Sequence, residues 1–346
     1  MGKSTIVDIA RRAMVSTATV DRALNGRAGV SPTNRHRVLQ AARDLGYLSL
    51  EGLVPLPSRP AHLEFFIPLV SNVFMRELVD GITAFAASLP LVASCTITTL
   101  DGIGPDILLQ ALEKVALKTN GVGLVAVDHP KTRHAIRRLC EAGVRVVTIA
   151  SDVLSTPRSA YVGVDNVVAG RTAALIMGLM SGRPGLGERR GKIGLFLGSR
   201  AFHGHQEREL GFRAVLNEQF SDLTILPAIE TAEDSDISRQ AMVSLLRAHP
   251  DLVGIYCVGA GRTGIAQALR SANGGKRPFV ILHDLTENSR SWLVEDLVDV
   301  VIDQNARLIA EQAVIRLLGS IAASTPLLTL KNIEPRIVLR ENIPVR

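Results

Sequence analysis

Residues 5–25 read TIVDIARRAMVSTATVDRALN, a stretch that predicts two short helices joined by a tight turn. The first helix runs from about Thr5 to Ala13. Its apolar residues Ile6, Ile9, Ala10 and Ala13 recur at i, i+3, i+4 and i+7 and so share one face. Met14-Val15-Ser16 makes the turn, with Ser16 as an N-cap for the second helix. That helix carries Val20, Ala23 and Leu24 inward, and Asn25-Gly26 signals its end. Its opposite face presents Thr17, Ala18, Asp21 and Arg22, small or polar side chains that suit a major groove.

A third helix completes a small core. Ser31-Pro32 supplies an N-cap and the favoured first-turn proline. Val38, Ala41, Ala42 and Leu45 form the buried stripe, and Gly46 closes it. Three amphipathic helices would also suit any small bundle, and charge decides between the two readings. Residues 1–60 hold nine Lys/Arg (Lys3, Arg11, Arg12, Arg22, Arg27, Arg35, Arg37, Arg43 and Arg59) against four acids (Asp8, Asp21, Asp44 and Glu51). That excess of five is nearly the whole +6 of the 346-residue chain. A basic head on an almost neutral body fits contact with phosphates.

The run from Thr5 to Tyr47 resembles the head of the lactose/galactose/ribose repressor family of bacterial transcription regulators. Asp8-Ile9-Ala10, Val15-Ser16, Thr19-Val20, Arg22, Leu24-Asn25 and Arg37-Val38 through Leu45-Gly46-Tyr47 carry the resemblance. It implies base contacts from Thr17, Ala18 and Arg22, within a DNA-facing set that adds Thr5, Ser16, Thr19, Asn25 and Arg27. Asp21 departs from the pattern, since relatives commonly place a small hydroxyl residue there.

Residues 48–60, LSLEGLVPLPSRP, read as a linker, with Gly52, Pro55, Pro57, Ser58 and Pro60 crowding out regular structure. The resemblance implies a hinge helix here that wedges a leucine, Leu53 or Leu56, into the minor groove. Three prolines in six residues oppose that helix. From His62 onward, short apolar runs alternate with mixed helical segments. Strands are expected at 62–67, 92–98, 122–127, 144–149, 160–164, 191–197, 223–226, 252–258, 278–283 and 298–302. Helices are expected at 75–88, 106–118, 131–142, 166–181, 206–219, 235–247, 262–272, 287–295 and 305–322. This alternation argues parallel α/β sheets, enough for two.

Two such lobes behind a helix-turn-helix head resemble the same family, whose body has the type I periplasmic-binding-protein fold with doubly wound parallel sheets. The expected organisation is a head at 1–47, a linker at 48–60 and an effector-binding and dimerisation body at 61–346. The N-lobe would hold about 61–161 and 302–321, the C-lobe about 162–301 and 322–346. Ligands of such folds sit between the lobes, outside the carboxyl ends of the strands.

Arg208, Asp284 and Gln304 lead the effector-binding candidates. Arg208 sits in Arg-x-x-Gly-aromatic (Arg208, Gly211, Phe212), which the resemblance makes a donor to ligand hydroxyls; a planar guanidinium can hold two oxygens at once. Asp284 ends the apolar run 279–282, and Gln304 follows 300–303 at a crossover. Asn72 and Phe74, in Ser-Asn-x-Phe, imply an amide contact and a ring stacked on a sugar face. Asp152 lies near the family's ligand-binding acid. Arg, Asp, Asn and Gln around a ring suit a sugar or polyol, because a hydroxyl both donates and accepts.

One rival reading is an enzyme. Val258-Gly259-Ala260-Gly261-Arg262-Thr263-Gly264 satisfies G-x-G-x-x-G between a strand and a helix, with Asp284 about twenty residues on. Alone this predicts an NAD-dependent oxidoreductase, but the basic head has no role there, and no acid/base partner accompanies the loop. His203-x-His205 lacks the companions of a metal site, and no hydrolase elbow surrounds any serine. The expectation is therefore no catalysis, no metal and no cofactor. Cys95, Cys140 and Cys257 show no metal-ligand spacing and read as reduced thiols. No run approaches a membrane span and no signal-peptide core follows Met1, so a cytoplasmic protein is expected. The sequence thus predicts a homodimeric regulator, a repressor, on near-palindromic double-stranded operator DNA, controlled by a small sugar or polyol.

Overall fold

The computed structural model describes residues 5–24, 29–45, 47, 53–55, 60–68, 72–181, 191–272, 277–321, 326–329 and 331–345. Three helices form the head: α1 (Ile6–Ala13), α2 (Thr17–Leu24) and α3 (Pro32–Asp44). Thr5 caps α1 rather than opening it: its hydroxyl and the Asp8 carboxylate close a capping box. Met14, at φ 52, ends the helix in left-handed backbone. Ser16 Oγ accepts from Thr19 N at 3.1 Å at the start of α2. Ile9, Ala10, Ala13, Val20, Ala23, Val38, Ala41 and Ala42 interlock as one buried core.

The first body sheet runs β3-β2-β4-β5-β6 and is wholly parallel. Its strands are β2 (Ala61–Pro68), β3 (Val92–Leu100), β4 (Gly121–Leu124), β5 (Arg145–Ile149) and β6 (Ala160–Val162). The pleat divides β2 between two cores. Leu63, Phe65 and Ile67 pack under α4 (Val73–Ser88) and α12 (Ala306–Ile321). Phe66 joins Val122, Leu124 and Val146 under α5 (Pro105–Leu112) and α6 (Pro130–Glu141). α5 stops well short of the expected residue 118 because Glu64 accepts from Ala116 N at 2.9 Å and from the Thr119 hydroxyl. That half-buried carboxylate ties residues 116 and 119 to β2.

The second sheet runs β14-β12-β11-β10-β7-β8, with β9 beside β7. It comprises β7 (Gly191–Leu197), β8 (Leu223–Ile225), β9 (Ile229–Glu230), β10 (Leu252–Cys257), β11 (Phe279–His283), β12 (Val300–Asp303) and β14 (Arg336–Val338). All pairs are parallel except β12 with β14. α7 (Asn166–Ser181) and α8 (His203–Gln219) cover one face. α9 (Ser235–Ala248), α10 (Arg262–Ser271) and α11 (Glu287–Val294) cover the other. α7 and α8 touch backbone to backbone: a Cβ on Gly211 would lie 2.3 Å from Val167 O. At the start of α8, Gly204, His205 and Arg208 line the cavity.

The linker contributes a strand instead of a helix. β1 (Leu53–Pro55) pairs antiparallel with β13 (Pro326–Thr329), so Leu53 lies in a strand; Leu56 lies outside the described residues. β13 therefore does not extend the second sheet, as an assignment of 322–346 to that lobe implied. Residues 302 and 303 likewise belong to the second sheet through β12, and the crossing follows at Gln304-Asn305. These additional strands are short and hold prolines, which erases the alternation that marks a strand in sequence.

Candidate functional site

In the head, Thr17, Ala18 and Arg22 are exposed together on α2. Spacing of four residues sets Ala18 and Arg22 on one stripe, beside a half-buried Asp21. Thr5 Oγ1 lies 2.6 Å from Asp8 Oδ2, and Ser16 Oγ 2.9 Å from Thr19 Oγ1. Those three hydroxyls shape the helix starts. Asn25 and Arg27 lie outside the described residues.

The two sheets point their carboxyl ends at one narrow cavity of about 40 Å³. Asn72, Phe74, Ala150 and Ser151 line it from the first lobe, and His205, Arg208, Glu233, Gly259, Asp284 and Gln304 from the second. Five of the six residues expected to hold an effector thus converge. Asp152 does not. Its Oδ1 accepts from Thr148 Oγ1 at 2.7 Å and Val153 N at 2.8 Å, and Arg158 grips both carboxylate oxygens. Those bonds make it the anchor of the loop after β5, and the neighbouring Ser151 faces the cavity instead.

Arg208 is buried, and its Nε donates to Asn166 Oδ1 and its Nη1 to Val258 O, each at 2.8 Å. Both acceptors are neutral, and Arg208 forms no ion pair among the described residues. Asn166 in turn donates to Tyr161 Oη at 3.2 Å. Burial pushes the Tyr161 phenol pKa upward, so it stays a neutral donor to the Ala150 or Val164 carbonyl. Asp284 follows β11 at φ 65, in left-handed backbone. Its Oδ2 meets Arg262 Nη1 at 2.5 Å and its Oδ1 accepts from Gln304 Nε2 at 2.7 Å. Asn72 caps α4 through Oδ1, which accepts from Phe74 N at 3.0 Å and from Arg262 Nη2 at 3.3 Å. Only the amide NH₂ of Asn72 is left for a ligand.

Sequence reasoning missed Arg262 and Glu233 and weighed His205 only as a metal ligand. Arg262 stands inside the glycine motif, whose signal is carried by Gly259, Gly261 and Gly264. Glu233 left no signal, because its place depends on φ 51 and 63 at Ala232 and Glu233, which neither residue type advertises. Burial, then Arg208, pushes the His205 imidazole down to about 3. Its Nδ1 accepts from Ser199 N at 3.3 Å and lies 3.0 Å from Ser199 O, so the Ser199 backbone occupies that side of the neutral ring. Glu233 Oε1, 3.8 Å from that nitrogen, therefore has no charged partner in it. Burial raises the Glu233 carboxyl to about 7, against the opposing pull of Arg262.

The dinucleotide reading fails at two points. Asp284, the acid needed for a ribose hydroxyl, is held by Arg262 and Gln304. Gly264 serves helix packing, since a Cβ there would lie 1.9 Å from Ser235 O of α9. His203 Nε2 sits 3.2 Å from Glu207 Oε1, and no metal-binding cluster of acids, His and Cys occurs among the described residues. No helix among the described residues is long and apolar enough to cross a membrane.

Comparisons with known proteins agree with this fold. Residues 5–49 match the model of bacterial regulatory proteins of the lacI family, and residues 63–319 match that of the periplasmic binding protein domain. Catabolite control protein A of Priestia megaterium is 41% identical over 83 residues, 24% of this chain and 25% of that protein. The HTH-type transcriptional repressor CytR of Escherichia coli K12 is 36% identical over 96 residues, 27% of this chain and 28% of that protein. The matched stretch thus spans about a quarter of these relatives, which are transcription regulators and not enzymes. A glucose-galactose binding protein from Geobacillus stearothermophilus superposes with TM-score 0.73 at 20% identity, over 83% of this chain and all of that one. A solute binding protein from Burkholderia graminis, solved with D-arabinose, gives TM-score 0.73 at 20% identity over 82% of this chain and 97% of that one. This chain belongs to the periplasmic binding protein domain family through residues 63–319, behind a helix-turn-helix head that is similar to the bacterial regulatory proteins of the lacI family.

Proposed function

We propose that the protein is a repressor that binds a near-palindromic operator as a homodimer and answers to a neutral sugar or polyol between its lobes. The observation that carries this reading is the pairing of an exposed Thr17-Ala18-Arg22 face with a cavity holding Arg208, Asp284, Gln304, Asn72 and Phe74. Two heads related by a dyad would read two half-sites in successive major grooves. The head is 1–47, the linker 48–60 and the body 61–346, with the lobes dividing near residues 162 and 304. The cavity is narrower than a sugar, so the lobes part to admit one and close upon it. That movement changes the separation of the heads, and DNA and effector affinities are linked reciprocally. The protein acts in the cytoplasm, where its DNA is.

The test is selection of bound duplexes from a random pool, followed by a release assay with a panel of sugars and polyols. A near-palindromic site released by one of them is expected. Arg208→Ala should keep operator affinity and lose the response. Binding without sequence preference would overturn the regulator reading, and an unchanged response in Arg208→Ala would remove the pocket.

A further inference from the structure

One carboxylate in the cavity, Glu233, is not among the five effector contacts. It follows β9 in left-handed backbone, directly after Ala232 in the same region. Two successive non-glycine residues there are uncommon and cost free energy, so the surrounding loop is built to hold this side chain at this point. Its Oε2 accepts from Ala260 N at 3.3 Å. Its Oε1 is buried on the cavity wall with no hydrogen-bond partner. Asp284 differs, since both its oxygens are engaged. Gln304 Oε1, also on the wall, is a second buried acceptor without a partner. A buried acceptor lacking a donor is costly, and each such group calls for an explanation.

The groups facing Glu233 set what can satisfy it. His205 is neutral, and its Nδ1 is engaged by the Ser199 backbone. Arg262 and Arg208 draw Glu233 toward its anion, and Asp284 opposes them. Arg262 is committed to Asp284, His283 O and Asn72. No side chain facing Glu233 donates to Oε1, so a ligand hydroxyl can take that place.

We propose that Glu233 determines specificity in the effector site: its Oε1 accepts a hydroxyl of the effector, selecting a neutral polyol over an analogue with a phosphate or carboxylate at that end. This rests on the cleft being the effector site. An anionic group would meet a like charge at short range. A polyol presents donors to Glu233 and Gln304 and acceptors to Arg208, because each hydroxyl serves both purposes.

The carboxylate accepts fully only when ionised. With its pKa raised to about 7, the competent fraction falls as pH drops through 7. Apparent Kd should then rise about tenfold from pH 8 to pH 6, and binding near pH 7 should release a proton.

The experiment is calorimetry on the full chain with D-galactose, D-arabinose, D-fucose, D-galacturonate and D-galactose 6-phosphate at pH 6 and pH 8. Wild type, Glu233→Gln and Glu233→Ala are compared, with circular dichroism to check folding. A neutral sugar should bind wild type about tenfold more tightly at pH 8, with proton release seen as a buffer-dependent heat. That pH ratio should collapse toward one in Glu233→Gln, and affinity should fall in Glu233→Ala. Equal binding of a neutral sugar to wild type and Glu233→Gln at both pH values would overturn the role of Glu233 and leave the cleft standing. Binding of galacturonate or the phosphate as tight as that of the sugar would overturn it too. Wild type binding none of the five would overturn the sugar reading of the cleft, and this inference with it.

Discussion

Arg262 and Asp284 form a buried ion pair, Nη1 to Oδ2 at 2.5 Å, and the same guanidinium reaches Asn72 Oδ1 across the cleft at 3.3 Å. One side chain of the second lobe therefore neutralises the acid at the end of β11 and ties down the cap of α4 in the first. Arg262→Ala should leave Asp284 as an unpaired buried charge and destabilise the protein by about 3–5 kcal/mol. Chemical denaturation measures it. Arg262→Ala with Asp284→Asn should recover much of the loss, because the stranded charge is then gone; no recovery would mean that the pair is not what Arg262 supports.

The exposed Arg22 should matter for DNA and not for folding. Arg22→Ala is expected to weaken binding to the selected operator by about 1–3 kcal/mol and to relax preference at one base pair of each half-site. Anisotropy titrations against single-base variants read both effects. Full affinity with unchanged selectivity would put another face of α2 in the groove.

The α7–α8 contact positions Arg208 through backbone proximity. Gly211→Ala would set its Cβ 2.3 Å from Val167 O and 3.0 Å from Arg171 N, both immobile atoms. The helices have to move apart, at a cost of about 1–3 kcal/mol. A thermal melt should show the loss, and effector affinity should fall with it because Arg208 Nε and Asn166 Oδ1 sit on the two helices concerned. A stability loss with unaltered affinity would separate packing from positioning.

Two buried groups give opposite pH dependences. Glu233 has a folded pKa of about 7 against an ordinary 4.5. The folded state then binds more protons than the unfolded between those values, and stability falls as pH rises through that window. Glu233→Gln should be more stable than wild type at pH 8 by on the order of 3 kcal/mol, and no more stable at pH 4.5. His205, pushed down to about 3 from 6.5, acts the other way. Its contribution is present above 6.5 and is lost as pH falls toward 3, so His205→Asn should flatten the acid side of the profile. Urea midpoints across pH 4.5–8 for the three proteins decide both; parallel curves would show that neither group titrates on folding.

Much of the architecture was legible in order along the chain. Helix periodicity and caps set out α1–α3, and the alternation of apolar runs with mixed segments located ten of the strands to within a few residues. Asp284 and Gln304 stood directly at strand ends, where local pattern and chemistry coincide. The exposed face of Thr17, Ala18 and Arg22 was readable because a helix of known phase needs only its buried side to define its exposed one. β1, β9, β13 and β14 were not readable, since each is too short for a period and exists only through its partner strand.

The site itself divides the same way. Residue type and position nominated Arg208, Asp284 and Gln304, but only the folded chain decided what each atom is free to do. Arg262, distant in sequence from Asn72 and Asp284, takes up oxygens on both; Asp152 turns from the cavity to hold its own loop; Glu233 enters it through two left-handed residues. The sequence alone determined a basic helix-turn-helix head and a two-lobed α/β body, because these follow from local periodicity and charge. Which carboxylate remains unsatisfied in the cleft was decided by tertiary structure, because hydrogen-bond saturation depends on groups brought together from distant parts of the chain.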